Sequence, residues 1–441
     1  MSRNKKIQWD SHTFTEAMKE THTILIPDML PLHFSFIEQI MRQEGYKTHV
    51  LKNEGPAVVD AGLKYVHNDM CYPAIIVIGQ MMNALESGDF DTDKTALLIT
   101  QTGGGCRASN YLHLLKKALD KAGYPHVPVI SLNVSGLSPS PGFKLTVRML
   151  KKAMAAIILG DFIMMIKNQC EPYEINPGDT QKVIAKWQAF FLEGWKTGKT
   201  TTVGSLLKYF PAMLEDFAAV KRRQENRPRV GIVGEIYVKY APIGNNHLEE
   251  FLVSEGAEVV VPGLLDFCLY CVYNGVVDQK LYGNTAVKAF ISKVAYGYLT
   301  KRQNKMYDIV KKHSVFRAPM GFSEKKDITE RYIGQGVKMG EGWLLTSEMA
   351  ELVTEGVKNI VCTQPFGCLP NHIVAKGMEN KIKAIHPDAN IVAVDYDPGA
   401  SRVNQQNRIK LMLANARTED EDMDVSESIT PPVSPAAEIT M

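Results

Sequence analysis

Short runs of β-branched and aliphatic residues alternate with amphipathic segments in the first third of the chain. Four runs predict β-strands, at residues 23–26, 49–51, 96–100 and 127–133. Between them, apolar residues recur at helical spacing in residues 32–43, 73–86 and 109–122. Strands separated by helices need right-handed crossovers, which build a parallel sheet. Residues 1–139 are therefore predicted to form a first doubly wound α/β domain.

The pattern changes in the middle of the chain and then returns. Three helical segments, 143–166, 180–197 and 206–221, predict a helical insertion or linker layer over residues 140–228. Strand candidates then follow at 230–233, 258–261, 359–362 and 390–394, with a long helical stretch at 285–313. Residues 229–417 are predicted to form a second α/β domain. The fold class predicted is therefore two Rossmann-like parallel-sheet domains separated by helices.

The C-terminal segment, residues 418–441, differs in composition from the rest of the chain. It contains seven acids and no bases, is rich in serine and proline, and lacks apolar periodicity. Such a segment cannot bury enough apolar area to offset its ordering entropy, so a disordered acidic tail is predicted.

The net charge of the chain says little about its binding partners. The chain has 50 basic and 48 acidic residues, which provides no global case for binding nucleic acid. Because the tail holds seven of the acids, residues 1–417 carry 50 bases against 41 acids. A basic cleft for an anionic ligand and scattered surface lysines are both compatible with this excess.

Composition and the amino terminus predict a cytoplasmic protein. The 441 residues are 45% hydrophobic and 22% charged, as in ordinary folded proteins. Residues 1–10 are polar and basic, unlike a secretory signal, and the apolar stretch 153–166 is interrupted by Asp161. No membrane association is expected. Seven cysteines in such a chain argue against a disulfide framework and for thiol, metal or cluster chemistry.

Three cysteines precede predicted helices: Cys71, Cys106 and Cys368. Pro73 and Pro370 mark two of the helix starts. All three cysteines are predicted to lie on separate strand-to-helix loops, which converge beyond the carboxyl ends of the strands. Helix N-terminal amides lower the pKa of a thiol and donate hydrogen bonds to sulfur, an environment that favours iron–sulfur ligation. Buried packing is the alternative for each cysteine, since the wide spacing is unlike a ferredoxin motif.

A glycine turn comes directly before Cys106. Gly103, Gly104 and Gly105 permit a tight turn and close backbone approach to a cofactor. A phosphate-binding loop is the alternative, but the turn has neither the dinucleotide fingerprint nor the lysine of a P-loop.

Other candidates have a functional and a structural interpretation. Glu235 follows a predicted strand, and either lines a cleft as an acid, base or acceptor or is a solvated strand-end carboxylate. The glycine-rich segment 334–349 either approaches a ligand or starts a helix. His67 or His372 would complete a structural zinc site with the three cysteines. Packing is the interpretation for the other four cysteines: Cys170, Cys268, Cys271 and Cys362.

Six motifs occur in an order typical of one family: NDMCYPA, QTGGGCRASNY, GEIYVKY, KMGEGWLL, QPFGCLPNH and DYDPGASRVNQQNRIKLML. Over nearly all of residues 20–415, the chain resembles the carboxy-terminal module of the large 2-hydroxyacyl-CoA dehydratase activase proteins, in the 2-hydroxyacyl-CoA dehydratase superfamily. The resemblance implies an oxygen-sensitive iron–sulfur protein of an anaerobe. It also implies that Cys71, Cys106 and Cys368 hold a 4Fe–4S cubane or a double-cubane cluster.

The resemblance also implies partners and an activity. Relatives include dehydratase subunits, which form a ketyl radical from a 2-hydroxyacyl-CoA, and double-cubane proteins that reduce small molecules. In both, an ATP-hydrolysing iron–sulfur activator supplies low-potential electrons. This chain lacks the ATPase domains of the fused activases, so it is expected to be no ATPase itself and to need that activator and a second cluster-bearing subunit. The alternatives are a catalytic lyase subunit that binds acyl-CoA, and a non-catalytic scaffold or electron relay.

Overall fold

The computed structural model describes residues 12–101, 105–133, 140–283, 285–313 and 315–427, with the side chains of Gln101, Asn133 and 417–427 left out. Its first sheet has four parallel strands in the order β2-β1-β3-β4. The strands are β1 (Thr23–Ile26), β2 (Lys47–Val50), β3 (Thr95–Gln101) and β4 (Val129–Asn133). The accompanying helices are α1 (Met18–Thr21), α2 (Pro31–Gln43), α3 (Pro56–Tyr65), α4 (Tyr72–Glu86) and α5 (Tyr111–Ala122).

A helical layer follows, as the loss of strand pattern predicted. Its helices are α6 (Val147–Cys170), α7 (Asp179–Thr197), α8 (Val203–Leu206) and α9 (Phe210–Ala218). Asp161, which interrupts the apolar run of α6, is buried and accepts hydrogen bonds from the backbone N–H groups of Leu264 and Leu265, each at 2.8 Å. The charged residue in the apolar stretch therefore caps the start of a later helix.

The second sheet is also parallel, in the order β6-β5-β7-β8. Its strands are β5 (Arg229–Gly234), β6 (Glu258–Val260), β7 (Asn359–Pro365) and β8 (Asn390–Tyr396). The remaining helices are α10 (Ile236–Tyr240), α11 (Pro242–Asn245), α12 (Leu248–Ser254), α13 (Leu264–Tyr282), α14 (Ala286–His313), α15 (Phe322–Thr329), α16 (Trp343–Thr354), α17 (Leu369–Val374), α18 (Glu379–Ile385) and α19 (Arg402–Glu427). Two parallel sheets with covering helices confirm the predicted α/β class.

The helices between β6 and β7 join the helical layer. A single hydrophobic cluster contains α6, α7 and α9 together with α13 and α14. A second cluster contains residues of both sheets and of α4, α5 and α12. Shared apolar cores of this kind hold the two sheets in a fixed relation, because separating them would expose that surface to water.

One crevice lies at the carboxyl ends of the strands of both sheets. In each sheet, the second strand lies on one side of the first strand and the third strand lies on its other side. The boundary between the first and third strands is the topological switch point, where α/β proteins bind ligands. Cys106 follows β3, while Glu235 and Cys368 follow β5 and β7.

The predicted placement of Cys71 on a strand-to-helix loop is wrong. Helix α3 follows β2, and Cys71 lies between α3 and α4. The apolar pattern of α3, which has 10 residues, is too short to predict a helix between the strand at 49–51 and Cys71. Its position at the start of a helix is nonetheless confirmed, since it is the N-cap of α4.

The prediction of a disordered tail falls mostly on residues 428–441, which lie outside the described residues, as do residues 1–11. The backbone of α19 continues to Glu427. Among the helices that the structure describes, none combines the length and the apolar character needed to cross a membrane.

Candidate functional site

A cavity of about 530 Å³ lies at the carboxyl ends of the two sheets. Its walls include the three predicted cysteines Cys71, Cys106 and Cys368. The volume falls within the usual range for small-molecule and cofactor sites. Convergence of the three cysteines, predicted from their positions before helices, is therefore observed.

Cys71 lies where the segment before α4 contacts the loop after β7 of the second sheet. It is buried, with an extended backbone at the N-cap of α4, where Pro73 occupies the first turn. The N–H of Tyr72 donates to the carbonyl of Phe366 at 3.0 Å, so the segment before α4 is tied to the loop after β7. The Tyr111 hydroxyl lies 3.0 Å from the Cys71 Sγ.

Cys106 is the N-cap of a short 3₁₀ helix, Arg107–Asn110, which leads into α5. Of the three predicted cofactor-binding glycines, Gly105 lines the cavity, whereas Gly103 and Gly104 lie outside the described residues. A Cβ on Gly105 would come within 2.1 Å of the Met339 sulfur. A glycine is therefore required for this turn to pack against the loop that carries Met339.

Cys368 is the buried N-cap of α17. The preceding Gly367 has a φ of +71°, and a Cβ there would lie 3.2 Å from the Cys71 Cα. The left-handed conformation and the absence of a side chain allow the two cysteine-bearing segments to approach each other. Gly367 therefore lets the loop after β7 pack against the segment before α4.

Burial favours the neutral form of two of these thiols. It raises the pKa of Cys71, an effect that the Tyr111 hydrogen bond partly opposes. Burial also raises the pKa of Cys368, and the nearby carboxylates Glu341 and Glu235 add to the increase. The expected lowering by helix N-termini is thus outweighed. Metal binding would instead favour the thiolate form of these cysteines, because thiol ligands lose their protons on coordination.

Two carboxyl groups share the cavity wall with the cysteines. Glu235 accepts a hydrogen bond from the N–H of Val238 at 2.9 Å, and Glu341 accepts one from the N–H of Ile236 at 3.0 Å. Burial, followed by repulsion from Glu341, raises the pKa of Glu235 to about 8. Burial also raises the pKa of Glu341. Of the two sequence-based interpretations of Glu235, the cleft-lining one is observed.

Sequence reasoning did not identify Tyr111 or Glu341 as site residues. Tyr111 ends the QTGGGCRASNY motif, and its hydroxyl is directed at Cys71. Glu341 belongs to the glycine-rich segment that was predicted to approach a ligand, and both Gly340 and Glu341 line the cavity. The glycines around Glu341 were the only signal in the sequence. They predicted a tight loop but did not indicate a role for the Glu341 carboxylate.

The four cysteines assigned to packing lie elsewhere in the structure. Cys170 in α6 and Cys362 in β7 are fully buried, and Cys268 and Cys271 are on α13. None of them is among the described residues that line the cavity. All seven cysteines lie within the described part of the chain and none forms a disulfide.

The zinc alternative fits poorly. Across the described ranges, no three His, Cys, Asp or Glu side chains are arranged to hold a single metal ion. His372 lines the cavity, but the side chain of His67 is 72% exposed and forms an ion pair with Asp69. A cluster of several irons spreads its thiolate ligands farther apart than one zinc ion does, so the same geometry does not bear against a cluster.

The residues present fit an iron–sulfur cluster in two respects. The donors are three cysteines from separate segments, the ligand type such clusters use. Glycine also keeps the space beside them open: Gly340 has a φ of +57°, and a Cβ there would lie 3.7 Å from the Cys106 Sγ. A side chain at this position would occupy room next to the sulfur.

Comparison with known proteins gave no match, either to a protein-family model or to a curated protein sequence. The function is therefore inferred from the motifs, the cavity and the groups that line it.

Proposed function

We propose that this chain is an iron–sulfur protein of the 2-hydroxyacyl-CoA dehydratase superfamily. Cys71, Cys106 and Cys368 hold a 4Fe–4S or double-cubane cluster, which accepts low-potential electrons from a separate ATP-hydrolysing activator. The observation that carries the proposal is that these three cysteines, from three distant segments, line one cavity. The proposed compartment is the cytoplasm, where thiols stay reduced.

The bound cluster would supply one-electron transfer at low potential. The protein provides the surroundings. Tyr111 directs its hydroxyl at the Cys71 sulfur, while Phe267 and Met339 form apolar parts of the wall. Such a wall limits solvent access to the thiolates, and solvent exposure is one of the factors that set the potential of a cluster.

A second candidate function is supported by the carboxyl groups. Glu235 and Glu341 face the same cavity as the cysteines, and burial raises the pKa of both carboxyl groups. The pKa of Glu235 is raised to about 8, which favours its protonated form at neutral pH. A protonated carboxyl can act as a general acid towards a departing hydroxide. This arrangement suits a catalytic 2-hydroxyacyl-CoA dehydratase subunit, a lyase in which Glu235 or Glu341 protonates the leaving hydroxyl. A scaffold or electron relay would have no use for that proton.

The first experiment tests the cluster. Protein purified without oxygen is assayed for iron, sulfide and visible absorption, for wild type and for Cys71→Ala, Cys106→Ala and Cys368→Ala. Broad visible absorption that is reducible in the wild type and absent in all three variants is expected. Cys170→Ala and Cys362→Ala are matched controls, because both remove a buried cysteine outside the cavity wall. A wild type without iron after reconstitution, or equal loss in the controls, would overturn the proposal.

The second experiment distinguishes the candidates. The cluster-loaded protein is combined with an activator, ATP, a reductant and a 2-hydroxyacyl-CoA, and dehydration is measured. A catalytic subunit predicts turnover, with a loss of about 100-fold or more in Glu235→Gln or Glu341→Gln, as for a general acid. A relay predicts a stable complex with another cluster-bearing subunit and no acyl-CoA binding. Retained iron in both glutamine variants shows that any loss is not loss of the cluster.

A further inference from the structure

A second cavity, of about 410 Å³, lies where three parts of the fold meet. Its wall is formed by the start of α2, by α6 and α7 of the helical layer, and by α10, α11 and α12 beside the second sheet. Among the described residues, this junction cavity shares no lining residue with the cysteine cavity. Its volume falls within the usual range for small-molecule sites, which occur preferentially at domain junctions. A ligand there would be independent of the proposed cluster.

His33 on α2 is a fully buried part of the wall of the junction cavity. Its Nε2 lies 2.8 Å from Asp161 Oδ1, and the Asp161 carboxylate also accepts two backbone hydrogen bonds. Nε2 therefore carries a hydrogen and donates it to Asp161. In the neutral imidazole Nδ1 is then an acceptor, and it has no hydrogen-bond partner among the described residues. An unpaired buried polar atom is costly, so Nδ1 calls for a donor that the chain itself does not supply.

The packing of α6 leaves Nδ1 on the cavity side of the His33 ring. A Cβ built on Gly160 would lie 2.4 Å from both Nε2 and Cδ2 of His33, so this edge of the ring rests on α6. Neither Gly160 nor Asp161 is among the described residues that line the junction cavity, whereas His33 is. The opposite edge, which carries Nδ1, is therefore the one that faces the cavity. A glycine within a helix costs about 1 kcal/mol relative to alanine, and here it provides the space for the imidazole.

The first turn of α2 adds hydrogen-bond donors to the same part of the wall. This helix has 13 residues, begins at Pro31 and has no side-chain cap. The first amides of a helix have no partner within it, so the N–H groups of Leu32 and His33 are left to bond outside α2. Both residues line the junction cavity. Such amides, at the positive end of the helix dipole, favour an anionic group such as a carboxylate.

Carboxylates of α12 line the junction cavity as well, at Glu249 and Glu250. The Lys167 Nζ lies 3.8 Å from Glu249 and 3.3 Å from Glu171, so one ammonium is shared by two carboxylates. The imidazole of His247 lies 3.3 Å from Glu250. Three carboxylates thus share one ammonium and one imidazole. A ligand that brings an ammonium group would improve this balance, because partly buried charges are stabilised by opposite charge.

The rest of the wall includes an apolar surface. Leu30, Met164 and Tyr240 belong to one small hydrophobic cluster, and all three line the junction cavity. Ile184 and Leu248 extend the apolar lining. A mostly apolar wall with a few convergent polar groups is the usual composition of a small-molecule site. This wall suits a ligand with an apolar side chain beside its charged groups.

We propose that the junction cavity binds an α-amino acid with an apolar side chain. The ligand carboxylate accepts hydrogen bonds from the free amides of α2, and its ammonium donates to His33 Nδ1 and to the Glu249 carboxylate. The side chain packs against the cluster that contains Leu30. The carboxylate and ammonium of an α-amino acid are neighbours, as are the amides and the imidazole at the start of α2. A metal ion is disfavoured, because across the described ranges no three His, Cys, Asp or Glu side chains are arranged to hold one.

Isothermal titration calorimetry on the full-length chain, purified without oxygen, tests the class of ligand. The probes are L-leucine, L-methionine and L-phenylalanine, each with its amide, which lacks the carboxylate, and its des-amino acid, which lacks the ammonium. We expect at least one amino acid to bind with a dissociation constant below about 1 mM. Both of its analogues should bind at least about 10-fold more weakly, as for loss of a hydrogen bond to a charged group. No binding of any of the three amino acids, or equal binding of either analogue, would overturn the proposal.

Variants of the same chain test the location of the ligand. Glu249→Gln removes a carboxylate of the junction cavity at nearly constant size, and should weaken binding of the amino acid at least about 10-fold. Glu193→Gln is the matched control, because Glu193 is exposed on α7 and is not among the described lining residues. Arg107→Gln removes an exposed cation of the cysteine cavity and should also leave the affinity unchanged. Unchanged binding in Glu249→Gln, or weaker binding in Glu193→Gln or Arg107→Gln, would show that the amino acid is not held as proposed. The comparison of analogues needs no variant, so it decides the ligand class even where a variant does not fold.

Discussion

The Tyr111 hydroxyl lies 3.0 Å from the Cys71 Sγ, and Tyr111 is only 8% exposed. A hydrogen bond to a ligating sulfur stabilises the reduced, more negative form of a cluster. The variant Tyr111→Phe is therefore expected to lower the reduction potential of the cluster-loaded protein. The expected shift is roughly 40 mV, equivalent to about 1 kcal/mol for a one-electron couple. A redox titration followed by electron paramagnetic resonance measures it.

Tyr124→Phe is the control for this variant, since Tyr124 lies beyond the end of α5 and makes an edge-to-face contact with His126. Its potential should equal that of wild type. A potential that rises in Tyr111→Phe, or shifts equally in both variants, would show that the hydroxyl has no such role.

A buried ion pair fixes the position of α10 behind the cavity. The Lys239 Nζ lies 2.7 Å from Glu348 Oε1, and both side chains are at most 4% exposed. Removing one partner leaves an uncompensated buried charge, so Lys239→Met should lower the free energy of unfolding by about 3–5 kcal/mol. The double variant Lys239→Met, Glu348→Leu should recover most of that loss. Urea denaturation provides the free energies.

The exposed pair formed by Lys144 and Glu16 is a matched control, at 2.6 Å and with both side chains about 70% exposed. Lys144→Met should change stability little, because water screens such a pair. Equal losses of unfolding free energy in Lys144→Met and Lys239→Met would mean that burial does not explain the contribution of the Lys239 ion pair to stability.

Elements with a clear periodicity could be predicted from the sequence. The strand predicted at residues 23–26 is β1 (Thr23–Ile26), and the helix predicted at 285–313 is α14 (Ala286–His313). The meeting of Cys106 and Cys368 followed from a topological rule, because both come after strands that flank a switch point.

The remaining parts of the site depend on tertiary contacts that no local pattern records. Glu341 reaches the cavity because its loop rests on α13 through the hydrogen bond from Tyr270 to Gly340. The raised pKa of Glu235 depends first on its burial in the fold and then on the approach of Glu341, which is 106 residues later in the chain. Periodicity showed that α14 is a helix, but could not show which of its faces the neighbouring helices cover.

Gly342 sets the geometry of the loop that carries Glu341. Its φ is +47° and its ψ is −131°, and a Cβ there would lie 2.4 Å from the carbonyl oxygen of Val337. Gly342→Ala should therefore lower the free energy of unfolding by about 3 kcal/mol or more, since both the backbone conformation and a backbone contact oppose the methyl group. Urea denaturation measures the loss.

Gly88→Ala separates the two causes, because Gly88 has a φ of +83° but nothing within 4 Å of its Cβ position. It should cost about 1 kcal/mol, the conformational part alone. Equal losses for Gly342→Ala and Gly88→Ala would rule out the clash with Val337.

The carboxyl pair makes stability depend on pH. Burial and Glu341 raise the pKa of Glu235 from its ordinary 4.5 to about 8. Between these two pH values, the folded protein therefore keeps a proton on Glu235 that the unfolded chain has released. The free energy of unfolding should therefore fall as pH rises from about 4.5 to 8, by up to ~1.4 kcal/mol per pH unit for this one proton. Glu235→Gln does not titrate and should lack this contribution.

The measurement is urea denaturation of the cluster-free protein at several pH values from 4.5 to 8.5. The difference between Glu235→Gln and wild type should grow steadily with pH, with the variant the more stable at pH 8. Glu20→Gln, a change at an exposed carboxylate on α1, should follow the wild-type curve. Parallel curves for Glu235→Gln and wild type would mean that Glu235 is ionised in the folded protein.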